Sequence, residues 1–186
     1  MIGRRSVLVA VSVAWAGGVA VPALAALTDD LPAGTRVEVK GRLTGPRAVV
    51  AEEIEIDPRP GGDEGLGAAI ESVDAEAKAL TAAGIKITTS DETVLEGESR
   101  EPIEFTDLKR GQWVSVDGTL GEDGVLTASE ARIKPPKPGK TRQTQLEGRV
   151  QEVDAAGNTF TLLGATVTVT PQTRISERAG GSGKGE

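Results

Sequence analysis

Leu66 to Leu95 reads LGAAIESVDAEAKALTAAGIKITTSDETVL, and Leu146 to Ile175 reads LEGRVQEVDAAGNTFTLLGATVTVTPQTRI. Laid on each other at an offset of 80 residues (146 − 66), they need no gap. Leu66/Leu146, Val73/Val153, Asp74/Asp154, Ala75/Ala155, Thr81/Thr161, Gly84/Gly164, Thr88/Thr168 and Thr93/Thr173 are identical. This stretch is element A. Working outward, LPAGTRVEVKGRLTGPRAVVAEEIEI (Leu31–Ile56) lies on LKRGQWVSVDGTLGEDGVLTASEARI (Leu108–Ile133) at an offset of 77 (108 − 31). Leu31/Leu108, Gly34/Gly111, Val37/Val114, Val39/Val116, Gly41/Gly118, Leu43/Leu120, Ala51/Ala128, Glu53/Glu130 and Ile56/Ile133 are shared. This second stretch is element B. Internal self-similarity at a fixed spacing marks a repeated structural unit, and the order here is B–A–B–A.

Both elements carry a strand signature. Val37, Val39, Gly41 and Leu43 alternate with Arg36, Glu38, Lys40 and Arg42, the period of two expected of a half-buried strand. The second copy repeats it through Val114, Val116, Gly118 and Leu120, and Gly121-Glu-Asp-Gly124 predicts a hairpin between Trp113–Leu120 and Val125–Ile133. In element A, Val73-Asp74-Ala75 and Val153-Asp154-Ala155 open turns, followed by short strands at Thr159–Leu162 and Thr166–Thr170 around Gly164. Short strands at this spacing, without an amphipathic helix, predict small antiparallel barrels. The fold expected is all-β: two small OB-like barrels from a duplicated unit, after an N-terminal signal peptide.

The expected organisation is a signal peptide at 1–25, a half-unit B at 27–56, a contiguous A–B barrel at 66–133, a Pro/Gly-rich linker at 134–145, a half-unit A at 146–176 and a disordered tail at 177–186. A second Pro/Gly-rich joint, Asp57 to Gly65, precedes the contiguous barrel. Each lone half would expose strand edges and apolar faces. We therefore expect 27–56 and 146–176 to close a second, discontinuous barrel; exchange between two chains into a swapped dimer is the rival to a monomer.

The N-terminus carries Arg4 and Arg5, then no charge from Ser6 to Thr28, and it ends in Val21-Pro-Ala-Leu-Ala25-Ala26. Ala23 and Ala25 fit an A-x-A site with cleavage before Ala26, so the protein is expected to be exported to the periplasm, cell wall or exterior. Arg4-Arg5 with Ser6-Val7-Leu8 suits a twin-arginine signal, and an ordinary general-export signal fits as well. An uncleaved anchor of about 20 apolar residues is a third reading; Gly17-Gly18 and Pro22 argue for cleavage, which leaves no membrane span.

Composition bounds the chemistry. The 186 residues contain no Cys and no His, which removes disulfides, thiolate zinc sites, cysteine nucleophiles and histidine bases. The formal charge is −7, and loss of Arg4 and Arg5 takes it to −9 (−7 − 2), which repels phosphate backbones and argues against nucleic acid. Aromatics amount to 2%, so the cores must be built from Val, Ile, Leu and Ala. No cofactor is expected.

Few residues invite a site. Glu53, Glu55 and Asp57 share a strand face and could hold a hard cation weakly; the matching Glu130, Arg132 and Lys134 favour a solvated face instead. Asp74 and Asp154 could be acid/base partners, but turn capping is the better reading. Trp113 faces away from the Val114/Val116 side. It is either a ligand platform, as in barrels that bind oligosaccharides, or it packs on the partner unit; Arg36 at the matching position favours packing. Phe160, aligned with Leu80, is expected in the core. Gly180-Gly-Ser-Gly-Lys-Gly185 lacks the strand and helix that a phosphate loop requires.

Gly148-Arg-Val-Gln-Glu-Val-Asp154 and Phe105-Thr-Asp-Leu-Lys-Arg-Gly111-Gln-Trp-Val-Ser-Val-Asp-Gly118 resemble the bacterial family of domains of unknown function numbered 5666. The resemblance spans nearly all of the chain after the signal, and its motifs are turn glycines and core valines. It implies an OB-like barrel in an exported or envelope protein, and it brings no activity and no functional residues. The order departs from it, because only Leu66–Ile133 is a continuous A–B unit. The function expected is therefore a noncatalytic binding or structural module, not an enzyme, with an unknown envelope protein or glycan as partner. A carbohydrate or small-ligand barrel using Trp113 is the alternative, and a carboxylate-based hydrolase the weakest reading.

Overall fold

The computed structural model describes residues 31–58, 61–135 and 142–178. The expected signal peptide at 1–25 and the stretch 179–186 lie outside the described residues. Among the described residues twelve strands follow in chain order: β1 (Arg36–Gly45), β2 (Ala48–Asp57), β3 (Glu64–Asp74), β4 (Ala79–Ala82), β5 (Ile85–Thr88), β6 (Val94–Glu96), β7 (Trp113–Leu120), β8 (Val125–Lys134), β9 (Thr144–Asp154), β10 (Thr159–Leu162), β11 (Ala165–Thr168) and β12 (Arg174–Glu177), with a 3-10 turn at Phe105–Asp107 between β6 and β7. The boundaries differ from the expected ones at the joints. β2 runs on through Asp57, β3 opens at Glu64 and β8 ends at Lys134; at the C-terminal end β12 includes Glu177, so the expected tail starts too early.

The ladders close twice. β3, β4, β5, β8 and β7 pair in a ring, antiparallel except where β5 runs parallel to β8. β9, β10, β11, β2 and β1 form the second ring, with β11 parallel to β2. The second ring is thus built from the two ends of the chain, with the first ring encoded between them. β6 adds to β8 and β12 adds to β2, both in parallel.

The alternation read in the sequence sets the inside of each ring. Val37, Val39, Val114 and Val116 are fully buried, while Phe160, Leu162, Leu80 and Ile87 fill the opposing walls. Gly41 and Gly118 each sit at a register shift in the hairpin ladder, where a Cβ would overlap the carbonyl oxygen of Val50 or Thr127. A bulge that lets two strands approach this closely needs glycine. Burial of about 25 cal/mol per Å² of apolar surface holds such walls together. A single buried cluster runs through both rings.

The rings are joined through one sheet. β3 pairs with β9 as Gly65↔Glu147, Leu66↔Leu146 and Gly67↔Gln145. Leu66 and Leu146 are equivalent under the 80-residue offset, so this register is symmetric about the pair that faces itself. The run β8–β7–β3–β9–β1–β2 is therefore continuous across both barrels.

Candidate functional site

The functional candidates gather at this seam. Arg36, at the start of β1, is buried; it donates through Nη1 to the Gly62 carbonyl (3.0 Å) and through Nη2 to the Asp63 carbonyl (2.5 Å) and Glu147 Oε1 (3.1 Å). The segment leading into β3 of one barrel is thereby pinned to β1 of the other. Beside it, Arg178 reaches Glu38 Oε2 and Glu55 Oε1 at 2.5 Å each and Asp57 Oδ2 at 2.9 Å. Lys40 pairs with Glu38 (3.2 Å) and Glu53 (3.6 Å), and Arg174 with Glu53 (3.5 Å). Its loss of solvation works against the charge of Lys40, but Glu38, Glu53 and Glu55 prevail and raise its pKa.

These contacts settle the acidic face of β2. Glu53 pairs with Lys40 and Arg174, and Glu55 and Asp57 pair with Arg178; Asp57 is buried, while Glu53 and Glu55 stay partly exposed. Among the described residues no three acidic side chains are gathered around a space for a metal ion. Barrel one carries the same device with the charges exchanged: Arg132 of β8 binds Glu96 of β6 and Glu130, both at 2.5 Å.

Trp113 opens β7 at the place of Arg36. It is half-buried, the Arg142 guanidinium lies 5.4 Å from its ring centroid, and its Nε1 is 3.8 Å from where a Gly67 Cβ would stand. One side of the ring is thus occupied by the seam and one by a cation. Asp117, further along β7, faces Gly65 across the ladder. Loss of solvation, with the charges of Glu130, Glu147 and Asp63, pushes its carboxyl above the ordinary value. Asp74 and Asp154 are turn residues, accepting the Ala77 and Gly157 amides at 3.0 Å, and Phe160 is buried.

A residue that sequence reasoning passed over holds the other end of the joint. Arg47, in the β1–β2 turn, adopts φ 53°, and its backbone N–H donates to Ala83 O at 3.1 Å. Its side chain donates to Gly84 O (3.0 Å) and Gly124 O (3.4 Å) in barrel one. Its equivalent under the 77-residue offset is Gly124, itself at φ 73°. An arginine placed where the other copy needs glycine was the available signal. Next to this clasp a cavity of about 370 Å³ opens between the barrels, bounded by Glu122, Asp123, Gln151, Glu152 and the glycines 124 and 164. A second, about 390 Å³, lies along β6, with Val94, Leu95, Pro102, Ile103 and Phe105 as its apolar floor and the Lys78–Asp91 ion pair (2.6 Å) at its rim.

A family described as a domain of unknown function, DUF5666, matches residues 22–55, 68–132 and 147–182, most of the chain. The chain belongs to the DUF5666 family. No curated protein and no solved structure matches it. The three DUF5666 matches follow the barrels. Moved by 77 residues, 22–55 becomes 99–132; moved back by 80, 147–182 becomes 67–102. The outer matches are thus the closing and opening parts of the unit that 68–132 covers whole.

Proposed function

We propose that this DUF5666 chain is an exported, noncatalytic module of the bacterial envelope: a stiff block of two OB-like barrels that holds a partner or spans a structural position. The observation that carries the reading is the seam. A six-strand sheet crosses both barrels, and Arg36 and Arg47 fasten its two ends, so the charged groups that could serve chemistry hold strands together instead. The strand order within each ring supports the OB-like description. The charge of −9 expected after cleavage suits a soluble envelope protein that avoids phosphate-rich polymers.

The experiment is expression of the full chain in a bacterium, with fractionation, mass measurement of the product and photo-crosslinking in intact cells from the exposed Val94. The expected result is an exported form lacking the N-terminal apolar segment, crosslinked to an envelope component. A cytoplasmic product with an intact N-terminus would sink the export half of the proposal. Hydrolysis of an envelope polymer by the purified chain, abolished by a single carboxylate substitution, would sink the noncatalytic half.

A further inference from the structure

β6 and β12 occupy equivalent places in the two barrels, but their outer edges differ. β6 is paired on its inner side to β8, and on its outer side to the chain that follows it. There Ile103 N donates to Leu95 O (3.1 Å) and Gly97 N to Glu101 O (2.8 Å), on either side of the bridge Glu96↔Pro102. Beyond it, Phe105 and Leu108 turn inward and are buried. β12 is paired on its inner side to β2; among the described residues its outer edge has no partner. An open strand edge is a template for an extended segment.

The repeat says which segment belongs there. Under the 77-residue offset, residues 101–105 correspond to Leu24, Ala25, Ala26, Leu27 and Thr28. The path is already matched where the described chain begins. Leu31 is fully buried, as is its equivalent Leu108. Gly34 N–Val150 O (2.7 Å) and Val150 N–Thr35 O (2.9 Å) reproduce Gly111 N–Ile70 O and Ile70 N–Gln112 O, both 2.8 Å. Only Asp29 and Asp30 separate Thr28 from Leu31. The family match opens at residue 22, upstream of the expected cleavage point. The segment is apolar, and Ile175 of β12 packs against the core as Leu95 does.

We propose that the outer edge of β12 is a docking site for the chain's own residues 24–28. By analogy with Ile103–Leu95 and Gly97–Glu101, the Ala26 N–H would donate to the Ile175 carbonyl and the Glu177 N–H to the Leu24 carbonyl. The last strand of the second barrel then overlaps the Ala23-x-Ala25 motif. A folded barrel and a signal peptidase compete for the same residues, and a chain cut before Ala26 has lost the acceptor for Glu177.

Because the chain has no cysteine, a pair introduced as Ala25→Cys and Ser176→Cys reports the contact directly. These positions match Pro102 and Glu96, a non-hydrogen-bonded antiparallel pair, whose Cα atoms lie about 4.5 Å apart and within disulfide reach. In the uncut full chain, mild oxidation is expected to give a disulfide within one chain. No disulfide, or one that joins two chains, would overturn the proposal. A second measurement needs no substitution: hydrogen exchange at the Glu177 amide should be at least about tenfold slower in the uncut chain than in one beginning at Ala26. Equal rates would overturn it as well.

Discussion

Thr93 and Thr173 show why particular side chains recur in both copies. Each hydroxyl accepts the amide of the residue three places earlier (Ser90 or Thr170, 2.9 Å) and donates to a carbonyl on the neighbouring strand (Ala128 O at 2.8 Å, Ala51 O at 2.7 Å). One oxygen thus ties a turn to the wall of its barrel. Thr93→Val keeps the shape and removes both bonds, so we expect a loss of about 1–2 kcal/mol in urea unfolding, with a similar loss for Thr173→Val. Asp117 tests the seam through its charge. Its pKa is raised in the folded chain, so its ionised form opposes folding at neutral pH, and that penalty lifts as pH falls through the folded value. Asp117→Asn should therefore raise the urea midpoint at neutral pH and leave it nearly unchanged below the ordinary carboxyl value of 3.8. A gain that persists in acid would exclude this account.

Among the elements, the β3–β9 contact is the most constrained. Gly65 and Gly67 face Glu147 and Gln145, whose Cβ atoms would lie 3.2 and 3.1 Å from a Cβ added at each glycine. One strand of the symmetric pair is stripped of side chains so that the other can carry long ones. Gly67→Val should cost about 1–3 kcal/mol by overpacking, detectable as a lower thermal midpoint; no change would mean that the strands are not held at this distance. The strand pattern, the hairpin turn and the Asp74 and Asp154 caps were readable because each depends on neighbours within a few residues. The Arg36–Glu147 and Arg178–Glu38 pairs were not, since partners 111 and 140 residues apart leave no local trace. Trp113 is half-buried, and its neighbour Arg142 enters from β9's approach, a placement only the tertiary fold supplies.

For the molecule as a whole, the connection between β8 and β9 is the less important link. The barrels are held by the β3–β9 ladder, the Arg47 clasp and the buried cluster that spans them. A protease site inserted within 136–140 should yield two fragments that co-elute in native gel filtration and separate only in denaturant. Fragments that part under native conditions would show the seam to be weaker than its geometry implies. Urea unfolding monitored at Trp113 and by far-ultraviolet dichroism should likewise give coincident transitions, as a single cooperative unit requires.

A barrel assembled from both ends of a chain also has a timetable. The strands over 36–57 emerge early, yet their partners begin only at Thr144, 87 residues after Asp57 (144 − 57). At about 5–20 residues per second of synthesis, the first hairpin waits on the order of 5–20 s with its edges bare, while the 64–134 barrel can already close beside it. Through that interval the early hairpin can meet the same hairpin of a neighbouring nascent chain. Slower elongation, or crowding of ribosomes on one message, should therefore increase the share of exchanged dimers at the expense of monomer.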